Sequence, residues 1–577
     1  MPADHGGLPI TVPMISRLFP VALVLLFGAG IASAQQTADL VLHNGRIASV
    51  DEAFSIHQAI VVKDGRILAV GSNDLAKMYK AARTVDLRGR LVVPGFNDTH
   101  IHLNGQARRH INLAGAKSIK EIQQRVEAKA RELGPGEWVT GSAWSEDELA
   151  EKRRPLRRDL DEVARDNPVI ITRAGGHSAV ANSVALKLAG VTKDTPQPDG
   201  GVIEKDEKGD LNGVIRERQG IVSRLVPNAT AAELRASLIE NIRNVLSLGI
   251  TSFTLAGTSP GGYAEWEEIY RAQGESLPRA TVQIRWAAPE GRNEQSIGWG
   301  GAERMRAFGK KTGSGTDRLK VGAVKMSVDG GFTGPAAYTL QPYKGQPNYR
   351  GYLNFTEAQI YEMVKTGHDL GWQMGFHAIG DAAIKLTVDI FERVLRESPR
   401  ANHRHYLNHF TIPPPSETMK KMAANRILIT QQPNFTYTLE GRYAEYLDGY
   451  RLEHNNPVAT PWKTHGIFMA FSADVLPISP LVGLYAAVTR KGMSGKVWGA
   501  EERVSIQDAI RAYTINSAYI NFDEAIKGTL EPGKLADMVV LADDLLTMDP
   551  NRLKDARIDM TIVGGKVLYE RRAGATE

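Results

Sequence analysis

Between positions 38 and 93 apolar and polar residues alternate in short bursts, as in "DLVLHNGRIASVD", "HQAIVVKDGRILAVG" and "TVDLRGRLVVPG". A period of two predicts half-buried strands, and the Asn-Gly and Asp-Gly pairs between them predict tight hairpin turns. The far end repeats the style in "GTLEPGKLADMVVLADD" and "IDMTIVGGKVLYE". Residues 38–93 and 525–577 are therefore expected to form one small β-sandwich built from both ends of the chain. The middle, 94–524, follows another rhythm. Apolar strand-like runs precede helical patterns: "PVIITRAGG" before "SVALKLAG", "WQMGFHAIG" before "DAAIKLTVDIFERVLRE", and "GIFMAFSAD" before "LVGLYAAVTRKG". Repeated strand–helix units predict a parallel sheet with helices outside, and about eight of them an α/β fold of the (β/α)8 barrel type. The spacing is uneven, so insertions are expected near 114–166 and 191–230.

The first 34 residues read as an address. In "MISRLFPVALVLLFGAGIASAQQ" a basic residue (Arg17) precedes an apolar run and the small residues Ala32-Ser33-Ala34. This is a secretory signal peptide with cleavage after Ala34, and Met14 offers itself as an alternative start. The run is shorter than the roughly 20 residues of a membrane span. A periplasmic or secreted location without stable membrane association is expected. The chain has no cysteine, which excludes disulfides, thiolate catalysis and iron–sulfur clusters and leaves nitrogen and oxygen as the ligands for any metal. A net charge of +5 over 577 residues, without a basic stripe interleaved with aromatics, gives no reason to expect nucleic acid as a partner.

Chemistry enters at "PGFNDTHIHL", where His100 and His102 stand two apart. On a strand such residues face the same side, and barrel active sites gather at the C-terminal strand ends. Alone, the pair is equally compatible with surface or core histidines. Later strands supply candidates one by one. His377 ends "WQMGFH", His409 lies last of three histidines in "HRHYLNH", Asp474 ends "FMAFSAD", and Lys325 interrupts the apolar "VGAVKMSV". An isolated ammonium is costly to bury there. The bland readings are satisfied histidines, a helix-capping aspartate, and a lysine paired with a carboxylate such as Asp329.

The ordered set "VVPGFNDTHIHL", "PVIITRAGGHSAVANSVAL", "GVIRE", "VKMSVDGG", "FHAIGD", "SADVLPISPLVGLYAAVTR" and "GTLEPGKLADMVVL" resembles the amidohydrolase superfamily of metal-dependent hydrolases. More narrowly it is similar to the amidohydrolase-3 branch, which includes N-substituted formamide deformylases. The likeness runs from Ala38 to about Tyr569. It implies that His100, His102 and Asp474 hold one divalent ion, that His377 and His409 hold a second, and that Lys325 is carboxylated and bridges them. Zinc is the expected metal. The resemblance also implies that His177 acts on the substrate with the neighbouring Asn182, and Trp144 and Gln432 are candidate pocket walls. All four have structural readings as well. Where the family has an apolar residue this chain has Asn97.

The ligand set implies a mechanism. A metal-bound water ionises near neutral pH and attacks a carbonyl polarised by the same ion. Asp474 takes the proton and passes it to the leaving nitrogen. The expected activity is hydrolysis of a C–N bond in an amide, formamide or cyclic amide of a small-molecule substrate. The alternatives are an ester, lactone or carbamate on the same centre, or a non-catalytic binding protein on the same scaffold. A homodimer is the default assembly for a soluble enzyme.

Overall fold

The computed structural model describes residues 36–572 apart from 147, 175, 177, 200, 287–300 and 333–334. Residues 1–34, expected to be a signal peptide, and His177 lie outside the described residues. Eight strands run Phe96–Ile101, Ile250–Thr258, Arg279–Ile284, Leu319–Val324, Gly375–Ala378, Tyr406–His409, Leu428–Gln431 and Met469–Phe471. The first four pair in parallel in chain order, and so do the last four. Parallel bridges at Val324–Met374 and Ser327–His377 join the two groups, and a bridge at Ile101–Asp474 closes the ring. The result is a closed parallel barrel. Gln283 of the third strand donates to the Tyr406 hydroxyl of the sixth (2.8 Å). These strands are not neighbours, so the contact crosses the interior.

Helices cover the outside for the reason the periodicity gives. Asp381–Glu397 buries Ala383, Ile384, Thr387, Val388, Phe391 and Val394, a stripe spaced three and four apart. Glu357–Asp369 begins at a capping box in which Thr356 Oγ1 accepts from the Gln359 backbone amide and the Gln359 side chain reaches back. Such a cap satisfies two otherwise orphaned backbone donors.

The two chain ends share one small domain. Its four-stranded sheet is ordered Arg66–Gly71, Ala59–Lys63, Gln36–His43, Tyr79–Asp86; its six-stranded sheet is ordered Lys566–Glu570, Ile558–Val563, Met538–Leu541, Leu91–Pro94, Arg46–Ala48, Ile56–His57. Leu40, Leu42, Ile60 and Val62 of the first pack on Val92, Met538, Val540 and Ile562 of the second. The Asp64-Gly65 and Gly564-Gly565 turns have positive φ at both central positions, the geometry that two-residue hairpins need. The passage into the barrel takes one residue. Pro94 pairs with Met538, while Gly95 donates to Asp537 and Phe96 to Gly249. A Cβ on Gly95 would lie 2.0 Å from Thr251 Oγ1, so only glycine fits where the chain crosses the second strand. A bidentate ion pair from Arg279 to Asp537 (2.7 and 3.1 Å), with both side chains buried, fastens the domain to the third strand.

One expectation is corrected. Val169–Arg173 and Ser183–Leu188 are expected to be a barrel unit between two insertions, but the strand Val169–Arg173 lies in a six-stranded sheet outside the barrel and Ser183–Leu188 is a helix of the same unit. That sheet is ordered Val202–Lys205, Leu211–Arg216, Ser178–Ala181, Val169–Arg173, Val139–Trp144, His110–Asn112. It stands between the first and second barrel strands, with apolar clusters of its own. An apolar strand followed by a helix specifies burial but not the sheet that provides it.

Candidate metal centre

Six side chains meet at the C-terminal mouth of the barrel, each set by a strand end. His100 lies on the first strand and His102 just beyond it; Lys325 follows the fourth; His377 and His409 lie on the fifth and sixth; Asp474 follows the eighth. The ring centroids of His100 and His409 are 4.9 Å apart, of His100 and His102 5.3 Å, and of His377 and His409 4.4 Å. His102 Nε2 is 3.5 Å from Asp474 Oδ1, and His409 Nδ1 is 3.9 Å from Asp474 Oδ2. Donor atoms of His100, His409 and Asp474 all lie within 4.8 Å of one another. This trio takes members from both of the ligand sets implied by resemblance. The geometry draws one cluster rather than two.

The hydrogen bonds tell which nitrogens are engaged. His100 Nδ1 is 2.8 Å from Asn408 Oδ1, and His409 Nδ1 is 2.7 Å from Gln432 Oε1. Amide oxygens accept only, so both Nδ1 atoms carry the proton and both Nε2 atoms offer a lone pair. The Nε2 atoms of His100, His377 and His409 are buried without a hydrogen-bond partner. Unpaired buried polar atoms cost about 1–3 kcal/mol each. Two of them, on His100 and His409, meet the Asp474 carboxylate in the donor set a divalent cation satisfies, with the opposite nitrogens held as metal-binding imidazoles usually are. The residues present fit a metal.

Burial and neighbouring positive charge keep these imidazoles neutral. His100 and His409 are held far below the usual histidine range, and His377 is lowered to about 3, in each case by burial first. Neutral imidazole is the ligating form. Burial also drives the Lys325 amine well down, helped by the Arg285 guanidinium and opposed by Asp474. The Asp474 carboxyl is pushed up to about 6 by burial, against the pull of Lys325. Asp329 is no partner for Lys325: it accepts from the backbone amides of Tyr338, Ile379 and Gly380 and stands 3.6 Å from His377 Nε2. The backbone is strained here too. His409, Phe410 and Asp474 have φ of 79°, 51° and 59°, a region that costs non-glycine residues about 1–3 kcal/mol.

Residues 83–569 match the model of the amidohydrolase family. The chain belongs to the amidohydrolase family. It is a hydrolase acting on carbon–nitrogen bonds. It is 28% identical over 558 residues to an N-substituted formamide deformylase of Arthrobacter pascens, covering 93% of this chain and 99% of that one. It is equally 28% identical over 555 residues to the protein LONG AFTER FAR-RED 3 of Arabidopsis thaliana, covering 92% of each. Among solved structures it superposes on an uncharacterized metal-dependent hydrolase from Pyrococcus furiosus with a TM-score of 0.64 at 24% identity, covering 88% of this chain and all of that one. At that identity the likeness speaks for the fold, the metal-dependent hydrolase barrel.

The candidate substrate contacts fall elsewhere. Asn182 uses its whole amide inside the inserted unit. Its Oδ1 accepts from Val169 and Ala185, and its Nδ2 donates to Ala164 and Asn167 (2.9–3.0 Å). Nothing remains for a substrate, so its role is to cap the helix Ser183–Leu188. Trp144 is 1% exposed in the core of the same unit, and its indole donates to Ile171. Gln432 is fully buried and bonds His409, Thr430 and Ser472; it holds the His409 ring rather than lining a pocket. The strand preceding His177 belongs to the insert, not to the barrel. Sequence reasoning missed Asn408, which holds His100 and also bonds Thr430 and Gly375. Its place directly before His409 was the available signal.

Proposed function

We propose that the chain hydrolyses an amide, formamide or cyclic amide with the help of divalent metal, zinc by expectation, which His100, His102, His377, His409 and Asp474 would hold together with a carboxylated Lys325. The observation that carries this reading is the meeting of His100 and His409, whose Nε2 atoms are buried and unpartnered, with Asp474. A bound divalent ion supplies Lewis acidity and a water that ionises near neutral pH. Asp474 stands within reach of two of the imidazoles and is the group to accept the water's proton and return it to the leaving nitrogen. A neutral Lys325 amine can attack CO2, forming the N–C bond and releasing a proton, and the resulting anion offsets two cations. The formamide deformylase relative supports placing N-substituted formamides first in a substrate panel. A periplasmic or secreted location, after removal of residues 1–34, and a homodimer complete the proposal.

Two measurements test it. Metal analysis of the purified protein is expected to find about two divalent ions per chain, and full activity in metal-free protein would end the reading. Asp474→Asn is expected to lower turnover at least about 10³-fold while most of the metal stays bound; unchanged kinetics would remove its role.

A further inference from the structure

Segments that follow the fourth, fifth, sixth and seventh barrel strands enclose a cavity of about 530 Å3, and none of the six side chains of the metal centre lines it. Its volume is that of a small-molecule site. Leu340, the run Pro413-Pro414-Pro415, Met419 and the ring of Tyr450 make its walls largely apolar. Tyr450 stacks on His454 with ring centroids 4.1 Å apart and is still 58% exposed. The charged groups are few. Arg451, 8% exposed, donates from its Nη atoms to the carbonyls of Gln341 and Pro342 (3.1 and 3.0 Å) and to Asp448 Oδ1 (2.9 Å), and its Nε is buried without a partner. The Arg451 and Asp448 charges thereby offset each other. Burial and the Lys420 charge lower His465, which is neutral at neutral pH. Asp381 is left. The residue is 6% exposed, and its two oxygens divide the work. Oδ1 accepts from the Leu340 and Ala382 amides (2.9 and 3.0 Å), which ties the Leu340 loop to the start of the helix Asp381–Glu397. Oδ2 accepts from no other residue among those described, yet it is not sealed off from solvent. Burial holds the carboxyl above the ordinary range, against the pull of the two amides and of Arg451. A cation in the cavity would relieve that burial.

From this arrangement we infer that the cavity binds an organic ammonium: a protonated primary amine whose N–H groups reach Asp381 Oδ2 while its apolar body lies against the prolines, Met419 and Tyr450. A hydrogen bond between an ammonium and a carboxylate is about twice as strong as one between neutral groups. The Tyr450 ring adds a cation–π attraction, and the apolar walls take the rest of the ligand out of water. An inorganic cation would leave those walls unused, and an anion would face Asp381. Holding the Leu340 loop needs Oδ1 alone, which leaves Oδ2 for the ligand. Hydrolysis of an N-substituted amide releases an amine of this class, so a product of the proposed reaction suits the cavity. The binding itself does not rest on that reading.

Titration calorimetry on the full, zinc-loaded chain at neutral pH tests it with three compounds of similar size: phenethylamine, 2-phenylethanol and phenylacetate. The amine is expected to bind at least about tenfold more tightly than the alcohol, and phenylacetate the most weakly. Asp381→Asn keeps an oxygen for the Leu340 and Ala382 amides and removes the charge. It is expected to bring amine and alcohol to equal affinity, with bound metal and the thermal unfolding midpoint as in the wild type. Tyr450→Ala, at an exposed position, is expected to weaken the amine by about 2–5-fold. Equal affinities for amine and alcohol in the wild type, or no binding of the amine up to about 10 mM, overturn the site. So does an amine preference that persists in Asp381→Asn, which would put the amine on the metal instead. If Asp381→Asn does not fold, Tyr450→Ala decides: an unchanged amine affinity there overturns the site, and a weakened amine beside an unchanged phenylacetate upholds it. Every one of these outcomes leaves amide hydrolysis standing.

Discussion

Two clusters of buried histidines lie in this barrel, and they differ in a single respect. At the mouth, His100, His377 and His409 each keep an Nε2 without a partner. The second cluster, His368, His403 and His405, has every ring nitrogen engaged. His405 Nδ1 accepts from the Met374 amide, and its Nε2 donates to His368 Nδ1 (2.9 Å). His368 Nε2 donates to the Ser398 carbonyl (2.7 Å). His403 Nδ1 accepts from the His405 amide, and its Nε2 donates to the Asn425 carbonyl. Each tautomer is dictated by a fixed partner, and all three rings are neutral. Burial alone therefore says little about a histidine. What separates a ligand from a structural member is whether the protein has already used its lone pairs.

Removing the metal gives the widest separation. A chelator is expected to abolish hydrolysis, and added zinc to restore it, while the second cluster stays silent in metal titrations. Zinc held by the His368 group would erase the distinction. Next comes His405→Ala, which leaves the Met374 amide and His368 Nδ1 unpaired beside a cavity. A loss of about 3–5 kcal/mol in denaturant unfolding is expected, with metal content per folded chain unchanged.

Acid should then act on the second cluster. His403 is lowered to about 4, by burial and by the Arg400 and Arg426 charges against the pull of Asn425. The unfolded chain binds that proton near pH 6.5. Its contribution is thus complete above pH 6.5 and is lost as pH falls towards 4, about 3 kcal/mol in all. Unfolding of wild type and His403→Asn from pH 7.5 to 4.5 measures it, and parallel curves would refute it. The smallest effect belongs to Gln432→Leu, which frees His409 to turn. A 10–100-fold loss of metal affinity is expected, whereas unaltered affinity would make Gln432 a bystander.

The sequence disclosed the mouth cluster unevenly. His100 and His102 declared themselves by a spacing of two, and His409 by standing last on its strand, where His403 and His405 stand before it. Those are local signals, and strand direction converts them into position. Asn408 and Gln432 could not be read in the same way, because their partners lie 308 and 23 residues distant. The inserted sheet escaped for a related reason. Val169–Arg173 has the apolar run of a barrel strand, but its neighbours are Val139–Trp144 and Ser178–Ala181, and no pattern within the strand names them.

The small domain sets a timetable for the chain's own synthesis. Met538–Leu541 pairs with Leu91–Pro94 on one side and with Ile558–Val563 on the other. A strand made among the first hundred residues therefore waits, one edge bare, until more than four hundred others have left the ribosome. Bare strand edges recruit whatever strand is near. The end that arrives last is the one that covers it, so a chain halted short of Met538 would be born sticky, however complete its barrel.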